Sequence, residues 1–395
     1  MDQYKTTTTV GYFSRIGNSI KGIFAGILFI SIAFIGLYWN EGLPDMSKVA
    51  KSATEIKSDV VSVDQNLNGK LISTTNKVTS DQEIGDNLYL KPGVFVAVER
   101  RVEMYAWKEK TESKTEKNVG GSETTNTTYT YTKEWVENPA DSSNFKYSES
   151  HGNPQKSIES YTNKAMTAKI GVYSFDPQSI TLPKLESYSI NSENIIPDPK
   201  VKLANNQYLY IGIGEQGTLG NPEIGDLRIS YHVLKPGFTG TIFGKLNGDN
   251  VESYLVKDSS TLYRLFTGTR DESIATLNTE HLFLLWGIRL GGFLFMWVGL
   301  IALFAPISVV LDVIPVFGQI SLLLTFIVCF VIALILSVVT IFVSMLIHNV
   351  IALIIAIFLI LGLFVWLFMK IKNKKSLLLN AVSKISPIPP SQPMI

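Results

Sequence analysis

Apolar side chains are concentrated in four stretches of the chain, and the long segment between the first and second stretches is mostly polar. The first stretch, Gly22 to Trp39, has 18 residues without a charged side chain. At about 1.5 Å per residue a helix of this length is roughly 27 Å long, close to the hydrocarbon core of a bilayer. The pattern predicts four transmembrane helices, at residues 22–39, 289–310, 320–345 and 350–369.

Short polar segments divide the C-terminal apolar region. Residues 311–319 are predicted to form a turn, because Pro315 interrupts a helix and the charge of Asp312 is costly in lipid. His348 and Asn349 separate the last two apolar stretches. A cleaved signal peptide is the alternative for the first stretch, but the stretch is long for a signal peptide and no small-x-small cleavage motif follows it.

The polar segment 40–288 has the patterns of a mixed α+β domain. Apolar residues at helical spacing predict a helix over residues 45–66. A strand rich in valine, with a change of face near Arg100-Arg101, and a second alternating strand flank residues 110–128, which predicts a long β-hairpin. Thr269 and Glu272 have the spacing of a capping box and would begin a helix leading into the second apolar stretch. Further strands are predicted at 208–213, 227–234, 240–245 and 252–256.

Basic residues at the two ends of the chain predict its orientation. Lysine and arginine precede the first apolar stretch in residues 1–21, and five lysines without an acidic residue occur in the proline-rich tail, 370–395. Because cytoplasmic flanks are enriched in basic residues, both termini are predicted to be cytoplasmic, which four crossings satisfy. The expected fold is therefore α+β: a multi-pass α-helical membrane protein with one N-terminal and three C-terminal transmembrane helices and a large strand-rich extracytoplasmic or luminal domain.

Overall charge and cysteine content exclude several classes of function. The chain has 35 basic and 34 acidic residues, so its formal charge of +1 gives no field that would attract nucleic acid. The one cysteine, Cys329, lies in an apolar stretch, so the central domain has no internal disulfide and no thiolate zinc site. No cofactor, metal or nucleic-acid partner is predicted.

Glycine-rich motifs in the chain have structural interpretations. Gly212 to Gly217 matches the dinucleotide pattern G-x-G-x-x-G, but that pattern needs a following helix that faces the pyrophosphate, and a strand is predicted instead. We interpret it as a turn. No nucleophile elbow, H-E-x-x-H or P-loop occurs, and no catalytic residue is predicted. Gly22 and Gly26, four residues apart in the first apolar stretch, are candidates for close helix packing.

Several short motifs follow one another along the chain: Asn40–Gly42, Arg100–Trp107, Tyr129–Trp135, His151–Pro154, Asn221–Arg228, Trp286–Arg289 and Asp312–Phe317. In this order, and with one N-terminal and three C-terminal apolar helices, they resemble the transmembrane protein 43 family, also called LUMA, and its bacterial relatives. The resemblance implies a non-enzymatic membrane protein that self-associates. In animals it implies the endoplasmic reticulum and inner nuclear membrane, where the family helps to organise the nuclear envelope; in a bacterium the inner membrane is expected.

The expected function is a membrane scaffold whose partners are the lipid bilayer, further copies of the chain and other membrane proteins. Because aromatic residues and arginine are common interface anchors, the strands around Tyr131 are favoured as an interaction surface. The candidate interaction or family-motif residues are Arg100, Glu103, Tyr105, Trp107, Trp135, Gly225, Asp226, Arg228, Asp312 and Pro315.

Three alternatives remain open from the sequence. The first is that Trp107 and its neighbours only pack a core. The second is a channel or transporter component formed by oligomerised C-terminal helices, although these helices contain almost no charged residues. The third is a membrane-bound envelope or lipid enzyme, whose site would have to gather residues that are far apart in the sequence.

Overall fold

A computed structural model gives the chain an α+β fold. The structure describes residues 2–57, 63–214, 217–257, 259–311 and 315–349, and also residues 353–355, 358 and 361–362. The chain divides into two compact units. The first unit is formed by residues 1–21, 44–284 and 305–323, and the second by residues 22–43, 285–304 and 324–395.

The described residues contain both long helices and many short strands. The helices are α1 (Tyr12–Glu41), α2 (Met46–Ser52), α3 (Arg270–Leu311) and α4 (Pro315–His348). The strands are β1 (Asp2–Val10), β2 (Thr54–Ile56), β3 (Leu71–Thr79), β4 (Glu83–Ile84), β5 (Gly93–Val94), β6 (Ala97–Lys117), β7 (Glu123–Val136), β8 (Tyr161–Lys164), β9 (Ala168–Ile170), β10 (Tyr173–Phe175), β11 (Glu186–Tyr188), β12 (Lys202–Ala204), β13 (Tyr208–Ile211), β14 (Leu227–Leu234), β15 (Thr239–Asn247), β16 (Asn250–Glu252), β17 (Tyr254–Lys257), β18 (Ser260–Leu262) and β19 (Arg264–Thr267).

Among the described residues, three helical segments are long and apolar enough to cross a membrane, and they contain α1 and most of α3 and α4. The predicted helices at 22–39 and 289–310 lie within α1 and α3, and the predicted helix at 320–345 lies within α4. In the second unit these helices pack around a small apolar core that includes Ala33, Leu37, Met296, Leu300, Cys329 and Ala333. The predicted helix at 350–369 lies mostly outside the described residues, and the tail 370–395 lies wholly outside them.

The first unit contains an eight-stranded sheet, which we call sheet A. Its strands follow the order β1-β7-β6-β14-β13-β12, and β11 and β8 pair with β14 and β6 respectively. Strands β6 and β7 form the predicted long hairpin, with pairs running from Met104↔Val136 to Lys117↔Glu123. Glycine residues Gly120 and Gly121 have φ of +86° and +80° in its turn, a conformation that a side chain would strain. The hairpin prediction is confirmed.

The second sheet of the first unit, sheet B, contains a closed ring of five strands. Strands β3, β15, β16, β10 and β9 pair in turn, and β9 pairs back with β3. β2 and β19 extend the ring from β3 and β15. Closing the ring leaves few exposed strand edges, and its interior is filled by apolar side chains such as Ile72, Ile170, Phe175, Ile242 and Val251.

Helix boundaries in the first unit differ from the predictions at one place and agree at another. The predicted helix over 45–66 is wrong in length, because α2 ends at Ser52 and residues 54–56 form β2, in parallel with β3. The β-branched side chains of this short segment favour the strand. The predicted capping box is confirmed: the Thr269 N–H donates to the Glu272 carboxylate at 2.8 Å, and the Glu272 N–H donates to the Thr269 hydroxyl at 3.4 Å.

The N-terminal residues also differ from the expected arrangement. Residues 2–10 form β1, which pairs with β7 over nine positions from Asp2↔Tyr131 to Val10↔Glu123. The charge-based orientation would place residues 1–21 and 40–288 on opposite sides of a membrane, whereas strand pairing joins them in one sheet. Of the predicted turn at 311–319, Leu311 is the last residue of α3 and residues 315–319 belong to α4, whereas residues 312–314 lie outside the described residues.

Candidate functional site

Four of the candidate residues form, together with Tyr208, a charged and aromatic patch on one face of sheet A. We call it the Arg228 face and define it by Glu103 and Tyr105 on β6, Trp135 on β7, Tyr208 on β13 and Arg228 on β14. The register brings them together, because Arg228 lies directly opposite Glu103 and Tyr105 lies directly opposite Trp135. Alternation along a strand then points these side chains away from the buried face of the sheet.

Arg228 is the centre of this patch. Its Nε and Nη2 donate to the two carboxylate oxygens of Glu103 at 2.6 and 2.8 Å. The guanidinium carbon lies 4.9 Å from the ring centroid of Trp135 and 5.0 Å from that of Tyr208. The rings of Tyr105 and Trp135 are themselves 5.3 Å apart. The patch is therefore held in one geometry by a bidentate ion pair and by cation–π contacts, yet it remains partly open to solvent.

A polar cavity of about 330 Å³ lies beside the Arg228 face, and its lining includes Arg101, Ser187, Gln207 and His232. The Arg101 Nε and the His232 Nδ1 are buried there without a hydrogen-bond partner among the described residues. Burial, followed by the positive charge of Arg101, lowers the pKa of His232, so this imidazole is neutral at neutral pH. Each of the two atoms faces a carboxylate beyond hydrogen-bond distance, Arg101 Nε at 3.7 Å from Glu137 and His232 Nδ1 at 3.9 Å from Glu99.

Arg100 lies on the opposite, buried face of β6. Its Nη1 donates to the Asp86 Oδ2 at 2.9 Å, and the Tyr231 hydroxyl donates to the same oxygen at 2.6 Å. Asp86 is fully buried and Arg100 is about one-tenth exposed. The predicted change of face near Arg100-Arg101 is wrong, since inward and outward residues keep alternating from Val98 to Ala106. The buried guanidinium is tolerated because Asp86 neutralises it.

Trp107 contributes to a separate aromatic cluster between β6, β7 and the 148–151 turn. Its ring lies edge-on to the fully buried His151 at 4.7 Å, and the Lys133 ammonium lies 4.6 Å from its centre. The His151 ring stacks on Tyr131 at 3.8 Å. Burial and the hydrogen bond to Glu109 raise the pKa of Tyr131 to about 12, so its hydroxyl remains a donor. Packing is therefore a substantial part of the role of Trp107.

Gly225 and Asp226 fix the start of β14 and so position Arg228. Gly225 has φ of +98°, and its N–H donates to the Tyr105 carbonyl at 2.8 Å. The buried Asp226 carboxylate accepts hydrogen bonds from the Tyr210 hydroxyl and from the backbone N–H groups of Ile213 and Glu223. These contacts tie the turn before β14 to β6, which sets the register that pairs Arg228 with Glu103.

The membrane-helix candidates lie in the second unit. A Cβ placed on Gly26 would lie 2.6 Å from the carbonyl oxygen of Gly299, so the two helix backbones approach closely there. Gly22 is less restricted, with 3.9 Å to the Ala302 carbonyl oxygen. Asp312 lies outside the described residues, and Pro315 is the first residue of α4.

Sequence reasoning missed two partners of these residues. The first is Glu41, a buried residue whose two carboxylate oxygens accept hydrogen bonds from Arg289 at 2.8 Å. The other is Tyr208, which the sequence offered only as part of a strand. Glu41 could have been found, since a carboxylate directly after an apolar helix needs a partner if it is buried. Nothing local marks Tyr208, whose role depends on the pairing of β13 with β14.

The donor sets of the described residues give no metal centre: no group of three His, Cys, Asp or Glu side chains among them could hold a metal ion. The buried carboxylates Asp86, Asp226 and Glu41 already accept hydrogen bonds from arginine, tyrosine or backbone donors. These hydrogen bonds therefore stabilise strands and helices.

Comparison with known proteins agrees with the motifs and the helix arrangement. A family model described as transmembrane protein 43 matches residues 104–350. The chain is 28% identical over 340 residues to human transmembrane protein 43, covering 80% of this chain and 82% of the human protein. It is 29% identical over 259 residues to the Drosophila melanogaster transmembrane protein 43 homolog, covering 62% and 66%. These names describe no enzymatic activity. No solved structure matches the chain. The chain belongs to the transmembrane protein 43 family.

Proposed function

We propose that this protein is a non-enzymatic membrane scaffold that self-associates and gathers other membrane proteins through the Arg228 face. The observation that carries the proposal is the geometry of Arg228, which is held by Glu103 and flanked by Trp135 and Tyr208 while about one-quarter of its side chain stays exposed. Arginine and tryptophan in pre-arranged, partly desolvated positions are the side chains that most often dominate binding energy at interfaces.

The membrane helices support the same proposal. α1, α3 and α4 anchor the chain in a bilayer, and a large polar unit outside the apolar segments provides area for contacts with other proteins. The basic residues that follow the last apolar stretch support a cytoplasmic C-terminus. In a eukaryotic cell the membrane would be the endoplasmic reticulum or inner nuclear membrane, where the scaffold would contribute to nuclear envelope organisation; in a bacterium it would be the inner membrane.

The experiment is native mass spectrometry of the full chain, gently extracted from its own membrane. A homo-oligomer or a stoichiometric second protein supports the scaffold, whereas a bare monomer contradicts it. The Arg228→Lys variant keeps the charge but loses the bidentate, ring-stacked geometry, so it should lose most of the second protein.

Arg264→Lys is the matched control for that variant. Arg264 also forms a bidentate ion pair, with Glu280, and lies 4.6 Å from the ring of Phe266. This variant should therefore retain the partner. If both variants lose the partner equally, or neither loses it, the Arg228 face is not the binding surface.

A further inference from the structure

Strand β1 is the outermost strand of sheet A and has one edge without a paired strand. Its inner edge pairs with β7, and no strand in the described part of the chain pairs with its outer edge. Seven of its nine residues are exposed. An exposed strand of this length presents a row of backbone donors and acceptors to any other extended segment.

The sequence of β1 lacks most of the features that protect strand edges from pairing. Residues 6–10 are four threonines and a valine, which are all β-branched and favour strands. The strand has no proline, and Lys5 is its only lysine. Proteins usually block free edges with charged residues, proline or bulges. The edge of β1 is therefore open both sterically and chemically.

The strand is also preformed, because contacts with the rest of sheet A hold it extended. The Tyr4 ring stacks on Tyr147 at 4.3 Å, and the Thr7 hydroxyl donates to the Asn126 amide oxygen at 2.8 Å. A partner strand therefore meets a straight template and does not have to order it first. Pre-organisation of this kind reduces the entropy that association must overcome.

We propose that the outer edge of β1 binds β1 of a second copy of this chain, in antiparallel register centred on Thr6. This rests on the self-association in the proposed function and names the contact. In this register Asp2 faces Val10 of the second copy, Lys5 faces Thr7, and Thr6 faces its own equivalent. No like charges stand opposite each other, and threonine and aromatic–threonine pairs are favourable across strands.

This strand pairing produces a closed dimer. Each β1 has one open edge, because β7 already occupies the other. Two copies related by a two-fold axis use both open edges and leave none for a third copy, so the assembly is a dimer joined by one continuous sheet and not a filament.

Disulfide cross-linking in the native membrane tests this proposal. The Cys329→Ala chain would carry a single cysteine at position 6 or at position 8 and be treated with copper phenanthroline, which oxidises two thiols to a disulfide. At position 6 the two cysteines face each other across the two-fold axis. At position 8 they are four residues apart along the strands, or about 13 Å, which is beyond the reach of a disulfide. The Thr6→Cys chain should therefore give at least about tenfold more covalent dimer than the Thr8→Cys chain.

A second measurement uses native mass spectrometry of two variants at the same position. Thr6→Lys places two ammonium groups opposite each other and should weaken the dimer about tenfold or more, whereas Thr6→Ser should leave it unchanged. Equal cross-linking at positions 6 and 8, or none at either, would overturn the strand contact. If the wild-type chain is still oligomeric in that case, the scaffold proposal stands and only the contact is wrong; a monomeric wild type would overturn both.

Discussion

The buried carboxylate of Asp86 gives the sharpest test of the central domain. Its Oδ1 accepts backbone N–H groups from Tyr89 and Leu90 at 2.8 and 2.7 Å, and its Oδ2 accepts from Arg100 and Tyr231 at 2.9 and 2.6 Å. Replacing Asp86 with asparagine removes the charge and turns an NH₂ group towards one pair of these donors. The Arg100 guanidinium, one-tenth exposed, then has no counter-ion among the described residues.

Because Arg100 would be left without its counter-ion, Asp86→Asn should lower the free energy of unfolding. Removing one partner of a buried ion pair costs about 3 to 5 kcal/mol, a large part of the ~5–15 kcal/mol that stabilises a typical domain. Pulse proteolysis of the full chain in detergent and urea would show it, as a decrease in the unfolding midpoint on the order of 1–2 M. The control is Glu134→Gln, which breaks the exposed Lys108–Glu134 pair on the same sheet and should cost less than about 0.5 kcal/mol.

The destabilisation caused by Asp86→Asn should disappear in acid. Burial alone would raise the pKa of Asp86, but hydrogen bonds from Tyr231, from the backbone and from Arg100 outweigh it and hold the pKa below its ordinary value. A carboxyl whose pKa is depressed by folding contributes stability above its unfolded pKa, about 3.9, and this is lost as the pH falls through the folded value. The difference in urea midpoint between wild type and Asp86→Asn should be largest at neutral pH and should decrease below about pH 4. A decrease in urea midpoint no larger than that of Glu134→Gln, or one that stays constant as the pH falls, would refute this reasoning.

Two further predictions concern the helix contact and the N-terminal strand. Gly26→Leu should lower the midpoint of thermal unfolding in detergent by several degrees, about 2–4 °C for each kcal/mol lost. Gly36→Leu should have little effect, because a Cβ at Gly36 meets no atom of the described residues within 4 Å. Equal effects of the two substitutions would contradict a packing role for Gly26. In membranes, cysteines in place of Thr7 and Asn126 should form a disulfide within one chain, because facing residues of antiparallel strands are about 4.5–5.5 Å apart at Cα. Absence of this cross-link would separate β1 from sheet A and favour the orientation expected from the basic residues.

The membrane helices and the hairpin could be predicted because their signals are local. An 18-residue run without charge indicates a transmembrane helix whatever surrounds it. Thr269 and Glu272 are only three residues apart, and together they cap the start of α3. Strand β1 could not be predicted in this way. Its residues, Asp-Gln-Tyr-Lys followed by four threonines and a valine, show no alternation of apolar and polar positions, and its partner β7 lies more than a hundred residues away.

Four of the five residues of the Arg228 face, all except Tyr208, were candidates from the sequence, but their arrangement was not predicted. Glu103 and Arg228 are 125 positions apart, so only the β6–β14 register shows that they are paired. The register in turn depends on the turn at Gly225 and Asp226, whose backbone groups bond to Tyr105. Sequence alone identifies polar and aromatic residues on strands; it takes the pairing of distant strands to show which of them share a face.

Two neighbouring arginines show how this limit affects the assignment of function. The sequence gives Arg100 and Arg101 equal standing, but the period-2 alternation of β6 turns Arg100 inward to Asp86 and Arg101 outward to the cavity beside the Arg228 face. A charge at an inward position is tolerated only where a distant segment supplies its counter-ion, and here that segment is the loop before β5. The inward set therefore stabilises the sheet, and the outward set lies on the face for which we propose a partner. The two variants should accordingly differ in their effects. Asp86→Asn should lower the urea midpoint strongly, whereas Arg228→Lys should reduce partner retention with a much smaller effect on stability.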